Sequence, residues 1–321
     1  MKKGLVLISL LCTLALVGCS FQGKQVYFTA GDGAGTVFRI DNSRCNEKEV
    51  RVYLANAYNL YGKTSVGDIW DLPLSKEGML SNIKDMTLEH LTMVYSMNLY
   101  ASELEMDLSD EEKEQATNCA AEYMSTLSDK DKEYLDVSEK DIAAMYERYI
   151  LAVKVYDHII TSVDDEVSED EARIMDGYLI YVTDSSKVSK IEKAFANGEA
   201  AEDIARKYSE KDKEQVSFGR GQYPDAFDSI AFELDDGEYG GPVEADGGYY
   251  FIYCIDKYNK DLSEENKHTI IETRKENTIS DIMNEQYAKS YSGLNKEKWE
   301  SISPEPDKGV TTDQFFSIVS R

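Results

Sequence analysis

Only three histidines, at positions 90, 158 and 268, occur in 321 residues. No catalytic motif surrounds any of them, and no Gly-x-Ser-x-Gly elbow occurs. There is no Cys-x-x-Cys, which removes both a redox motif and a structural zinc site. The glycine-rich run Gly31-Asp32-Gly33-Ala34-Gly35 lacks the Lys-Ser/Thr and the helix start of a phosphate loop and reads as a hairpin turn. EF-hand spacing is missing, so adjacent acids such as Asp164-Asp165 and Asp235-Asp236 read as solvated turns. Basic residues are scarce, 35 Lys and Arg against 61 Asp and Glu, for a net charge of −26. A field of that sign repels nucleic acid and anionic lipid head groups, which excludes a nucleic-acid partner. The apolar stretch Leu5–Val17 is too short for a confident membrane span.

What that stretch does resemble is a processed leader. In MKKGLVLISLLCTLALVGCS two lysines precede an apolar run that ends in Leu16-Val17-Gly18-Cys19, the order of a secretory signal with a lipobox-like end. The expectation is cleavage after Gly18, acylation of Cys19, and a protein held by lipid on the extracytoplasmic face of the cell membrane. Cys45, Cys119 and Cys254 then remain, an odd number that permits at most one bridge. A Cys45–Cys119 disulfide and three buried free thiols are both open, and the second accords with the burial of unpaired cysteines.

Along the chain, two β-rich runs flank the glycine turn near residue 33, and a helical period begins at Asn46. Gly78 to Met106 reads as a long helix, Ser109 with Glu112 as a capping box opening another to about Leu127, and Ser138 as the start of a third. His158, on that third helix beside Ile159-Ile160, reads as a packing or capping histidine. After Ser168 the period changes. ARIMDGYLIYVTD is strand-like, SKIEKAFANGEAAEDIARKYSE holds two short helices split by Gly198, and PVEADGGYYFIYCID gives two antiparallel strands around Asp246-Gly247-Gly248. A long polar-faced helix resumes from Ser263 to about Tyr291. In GGYYFIYC, Tyr250, Ile252 and Cys254 share one face and Tyr249, Phe251 and Tyr253 the other. Apolar character on both faces marks a central strand covered on each side. The fold class is α+β.

Between Glu171 and Lys257 an ordered set of residues resembles the parvulin, or PpiC-type, peptidyl-prolyl isomerases. FANGEAAEDIARKYSE carries Gly198, Ala205, Tyr208 and Ser209 in the pattern of a glycine followed by a helix ending in Ala-x-x-Tyr-Ser. RGQYPDAFDSIAFELDDGEYGGPVEADGGYYFIYCID carries Phe227, Ala231, Phe232, Gly237, Pro242, Val243 and Gly248-Tyr249 at the family's spacing. With a lipobox, a helical region before it and a return helix after it, the order resembles extracytoplasmic foldases of the PrsA and SurA type.

The resemblance implies a helical chaperone domain built from the N- and C-terminal segments, interrupted by a parvulin-like antiparallel four-stranded sheet flanked by helices. The expected spans are a signal peptide over 1–18, a tether and helical region over 19–168, the parvulin-like domain over 169–258, and a completing helix and tail over 259–321. It also implies a noncovalent reaction, in which an X-Pro amide crosses a barrier of roughly 18–20 kcal/mol in a pocket that binds the twisted form best. Both family histidines are absent from 169–258. Tyr250 stands at the histidine of Gly-Tyr-His, and Tyr178 or Leu179 at the first-strand histidine, depending on a one-residue register. Asp212 is the match at the Cys/Asp position. Tyr223, Phe227 and Phe232 are the expected proline-pocket residues. Unfolded or newly exported polypeptides, basic ones favoured by the acidic field, are the expected partners, with no cofactor and no metal. A noncatalytic holdase is the alternative. A transporter's solute-binding lipoprotein is another, but it would need repeated β/α units in two lobes.

Overall fold

The structure, a computed structural model, describes residues 35–64, 67–68, 76–211, 215–290 and 292–320. The expected leader, Cys19, the strand before the glycine turn, Trp70, Pro73 and Asp212 lie outside those residues. In chain order the elements are β1 (Thr36–Ile40), β2 (Ser43–Asn46), α1 (Glu47–Gly62), β3 (Lys63–Thr64), β4 (Gly67–Asp68), α2 (Lys76–Glu103), α3 (Asp110–Thr126), α4 (Asp129–Leu135) and α5 (Glu139–Ser162). There follow α6 (Glu169–Ala172), β5 (Ile174–Val182), α7 (Ser185–Ala196), α8 (Ala201–Tyr208), β6 (Gln215–Gly219), α9 (Asp225–Ala231), β7 (Tyr239–Ala245) and β8 (Gly248–Asp256). Last come α10 (Lys260–Lys289), β9 (Ser292–Leu294), α11 (Lys296–Ser301) and α12 (Phe315–Val319). The chain divides into two compact units, residues 1–163 with 276–321, and residues 164–275.

In the first unit, side chains set the helix starts. Asn46 Oδ1 accepts the Glu49 amide at 3.0 Å, and Ser109 with Glu112, Ser128 with Asp131 and Ser138 with Asp141 close full capping boxes. Each such cap stabilises its helix by about 1 kcal/mol. The Ser128 box opens α4, which the sequence reading passes over because seven residues are too few to display a helical period. Strand β1 pairs with β2 through the turn at Asp41 and, on its other edge, with β9. The described partner of β1 in a hairpin is thus the strand after it.

Two polar nodes tie this unit together. Glu49 is 0 % exposed. Its carboxylate accepts Arg148 Nε at 3.1 Å, Arg148 Nη2 at 2.6 Å and the Tyr95 hydroxyl at 2.8 Å, so α1, α2 and α5 meet on one buried charge. A buried carboxylate without such partners would cost several kcal/mol. At the second node, Asn56 donates to Tyr123 Oη at 2.7 Å and accepts from the Phe315 amide at 3.0 Å. Asp131 Oδ1 accepts the amides of Thr311 and Thr312 at 2.8 and 3.1 Å. Phe315 stacks on Tyr146 at 4.4 Å, and Phe316 stacks on His90 at 5.3 Å. The last turns of the chain are therefore core to helices that begin near residue 47. Cys45, Cys119 and Cys254 are buried and free. His158 is exposed, so it does not pack as the sequence suggested, because it falls on the outward side of α5.

The second unit is a four-stranded antiparallel sheet in the order β6-β5-β8-β7. Ile191 and Ala194 of α7 and Ile204 and Ala205 of α8 cover one face, against Ile180, Val182 and Phe251. Phe227 and Ala231 of α9, with Phe218 and Phe232, cover the other, against Met175, Leu179, Tyr250, Ile252 and Cys254. Asp246 and Gly247 turn the β7–β8 hairpin with φ of 52° and 75°, the twisted geometry that suits right-handed strands.

Two outcomes follow for stability. Burial pulls the His90 imidazole down to about 4. A depressed folded value means that the stability is present above the unfolded value near 6.5 and is lost as pH falls toward 4, a term on the order of 3 kcal/mol. Urea midpoints should fall more steeply between those pH values in the natural protein than in His90→Phe; parallel curves would refute the assignment. Asn56→Ala should cost about 2–4 kcal/mol in the same assay, since it strands buried groups on both chain ends.

Candidate functional site

Strand β8 carries Tyr250 into an aromatic cluster on the α9 face of the sheet. Its ring lies 4.7 Å from Tyr181, 5.4 Å from Phe227 and 6.3 Å from Tyr223. Tyr223 in turn sits 5.0 Å from both Phe227 and Phe218. Tyr250 and Phe227 are 3 % and 0 % exposed and make the floor. Tyr223 and Tyr181 are half-buried and present the accessible edge. The loop bearing Tyr223 is fixed by a residue the sequence did not single out. Asp228, buried on α9, accepts the Gly221 amide at 2.6 Å.

The hairpin turn supplies the polar half of the site. The Tyr250 hydroxyl donates to Asp246 Oδ2 at 3.0 Å, and the Tyr181 hydroxyl donates to the Asp246 carbonyl at 2.9 Å. The second bond needs the Tyr181 ring to lie close against the turn, which Gly248 allows: a Cβ there would come within 2.6 Å of the ring. Lys211 Nζ stands over the Tyr181 ring, 4.9 Å from its centroid. Burial, reinforced by the hydrogen bond to Asp246 and by its charge, pushes the Tyr250 phenol up to about 12, so it stays neutral. Burial also raises the Tyr223 phenol. Cys254, on the same face, is pushed up to about 11 by burial and then by Asp236, which leaves a thiol rather than a nucleophile at neutral pH.

The register corrects one expectation. Tyr178 pairs with Tyr253, Leu179 with Ile252 and Tyr181 with Tyr250. Side chains alternate along a strand, so Tyr178 lies on the α7–α8 face, away from Tyr250. Leu179 is the inward residue of the two, and the phenol facing Tyr250 belongs to Tyr181. Phe232 is core rather than open wall. It is 5 % exposed, with the guanidiniums of Arg173 and Arg220 at 4.9 and 4.5 Å from its ring and its carbonyl accepting from Arg173. Asp212 lies outside the described residues. Among the described residues no three His, Cys, Asp or Glu side chains gather as metal ligands. The site thus consists of phenols on an apolar aromatic floor, with one carboxylate bound to one of those phenols. That composition fits noncovalent binding of an apolar ring beside an amide.

Because Asp246 raises the Tyr250 phenol, Asp246→Asn should lower its titration from about 12 while burial keeps it above its ordinary value. Isotope-labelled tyrosine NMR, with Tyr250→Phe for assignment, reads this directly; an unmoved titration would break the proposed coupling.

Comparison with known proteins finds similarity both within the second unit and along most of the chain. A family model described as Rotamase: PPIC-type PPIASE domain matches residues 158–256. The Foldase protein PrsA of Bacillus subtilis (strain 168) is 31 % identical over 103 residues, which cover 30 % of this chain and 35 % of that protein's own length. The Foldase protein PrsA of Geobacillus kaustophilus (strain HTA426) is 24 % identical over 286 residues, covering 87 % of this chain and 88 % of its own. A crystal structure of the peptidylprolyl isomerase PrsA from Bacillus cereus aligns with a TM-score of 0.39 at 18 % identity, over 83 % of this chain and 100 % of that one. The sheet and aromatic cluster described above therefore belong to a parvulin, PPIC-type domain, carried in a chain homologous to the PrsA foldase proteins.

Proposed function

We propose that this protein is a lipid-anchored extracytoplasmic foldase that binds unfolded, exported polypeptides and isomerises X-Pro bonds at the Tyr250 cluster. The observation that carries this reading is the joined aromatic surface of Tyr223, Phe227, Tyr250 and Tyr181 in a domain of the rotamase family. The prolyl ring packs on Tyr223 with Phe227 beneath. When the amide twists, its nitrogen loses conjugation and gains a lone pair. The raised Tyr223 phenol keeps its proton and donates to that lone pair, an interaction absent from either planar form and so favourable only in the transition state. Tyr250, its own proton held by Asp246, fixes the floor and the turn. We assign the isomerase domain to residues 169–258 and chaperoning to the helical unit. The signal sequence and Cys19 supply the anchor. Among the described residues no helix is long and apolar enough to cross a membrane. The net charge of −26 favours basic clients.

A second reading, a noncatalytic holdase, is favoured by the absence of histidine from 169–258 and by the engagement of the Tyr250 hydroxyl within the protein. A proline-isomerisation assay on the full chain separates the two. Under the first reading the natural protein is active and Tyr223→Phe loses roughly tenfold in kcat/KM, the worth of one hydrogen bond of about 1–1.5 kcal/mol. Under the second the natural protein shows no isomerisation but still suppresses client aggregation. Neither activity in the natural protein would reject both. Cys19→Ser should move the protein from the membrane to the soluble fraction.

A further inference from the structure

The face of the sheet opposite Tyr250 is only partly covered by helices. Ile191 and Ala194 of α7 and Ile204 and Ala205 of α8 shield the end that holds Val182, Ile180 and Phe251. At the other end, cross-strand register places Tyr239 of β7 opposite Tyr253 of β8, and Tyr253 opposite Tyr178 of β5. The Tyr178 and Tyr253 rings are 6.4 Å apart, and Tyr239 is stacked at 4.2 Å, nearly parallel, on Phe195 of α7. Tyr239 is 40 % exposed, Ile255 beyond Tyr253 is 36 % exposed, and Tyr178, Tyr253 and Phe195 are each partly exposed. Four aromatic rings thus run across three strands and a helix edge while remaining open to solvent. Cross-strand pairing and the Phe195 stack hold them in place, so a partner meets them with little ordering cost.

The turn beside this row is mostly acidic, with the carboxylates of Asp235, Asp236 and Glu238 against the one ammonium of Lys257. The turn Asp235-Asp236-Gly237-Glu238 leads into β7, and a Cβ on Gly237 would sit 3.8 Å from the Tyr253 hydroxyl, which puts the turn against the row. Asp236 Oδ1 accepts the Lys257 amide at 2.8 Å, and the Lys257 ammonium pairs with Asp235. Among the described residues no cation pairs with Glu238, whose carboxylate accepts the Asp235 amide at 3.0 Å. Across the neighbouring strands Asp176 is in register with Asp256, and their carboxylates accept the Asn259 side-chain amide and the Tyr258 backbone amide at 2.8 and 2.9 Å. Phenol rings flanked by carboxylates are the chemistry that receives ammonium and guanidinium groups, through cation–π contact and charge together.

We propose that the row Phe195, Tyr239, Tyr253 and Tyr178, with the Asp235–Glu238 turn, is a docking strip for extended lysine- or arginine-rich segments of unfolded polypeptides. It is separate from the proline pocket, which occupies the other face of the same sheet. It rests on the foldase reading only in taking unfolded polypeptide as the partner, and it requires neither proline nor isomerisation. Cationic side chains stack on the rings while the segment's backbone runs across the strands. An acidic segment meets the same rings but is repelled by the turn.

The probe is a short proline-free lysine-serine peptide, titrated into the full chain and followed by NMR or fluorescence, with a glutamate-serine peptide of equal length as the control. The expected result is binding of the lysine peptide alone, weakening with salt. Tyr239→Ser and Tyr253→Leu should each lose roughly fivefold in affinity, the worth of one cation–π contact of about 1 kcal/mol. Glu238→Gln should weaken binding and flatten the salt dependence, which a merely structural role would not do. The lysine peptide carries no proline, so a failure of the isomerase reading does not touch this test. Equal binding of the two peptides or unchanged affinity in Tyr239→Ser would each overturn the proposal. So would self-association of the natural chain that Tyr239→Ser abolishes, since a second copy would then be the occupant. Tyr239 is exposed enough that its substitution reports even if Tyr253→Leu fails to fold.

Discussion

Strand β8 is paired along both edges and buried on both faces over its first half, around Tyr250 and Phe251, and the second unit is organised around that constraint. A slip of one residue would exchange every side chain between the two covers, placing Tyr250 under α7 and α8 and Phe251 against Phe227. Neither exchange is tolerable, because each face is already filled. The Tyr250 face is closed by bulky rings and the Phe251 face by Ile180, Val182, Ile191 and Ile204. The register of β5 follows from that of β8, and with it the meeting of Tyr181 and Tyr250. Position rather than residue type decides that one face of the sheet holds an aromatic pocket and the other an exposed aromatic row.

The two faces make different use of tyrosine. On the pocket side the phenols are turned inward and bound to one hairpin residue, Asp246, whose left-handed backbone aims its carboxylate at Tyr250 and its carbonyl at Tyr181. On the helix side the residues 178, 253 and 239 stand in register across the strands. An amphipathic ring serves both purposes, since one end tolerates burial and the other accepts water or a hydrogen bond.

Much of this was legible in the residues. The serine caps announce α3 and α5, and the alternation of GGYYFIYC assigns its two faces correctly, because both signals are local. Gly198 marks the break between α7 and α8 with a φ of 74°. The parts that were not legible depend on contacts distant in sequence. Which of Tyr178, Leu179 and Tyr181 faces Tyr250 is a property of pairing rather than of either strand. Asp228 gains its role only when the loop at Gly221 folds back seven residues. The terminal QFFSIV is too short to announce a helix, yet it fills the centre of the first unit. The helix α4 was missed for the same reason of length, although its Ser-x-x-Asp cap was there to be read.

The Asn56 node joins α1 to residues 312 and 315. Its consequence lies in the order of synthesis. Residues 164–275 are contiguous and contain every strand of their sheet, so that unit can close as soon as it has emerged. The helices made before it must wait, with the places of Phe315 and Phe316 unfilled, until the final segment arrives. A chain delivered from one end therefore finishes its inserted unit before the unit that surrounds it, and during that interval the earlier helices are themselves an incompletely folded polypeptide.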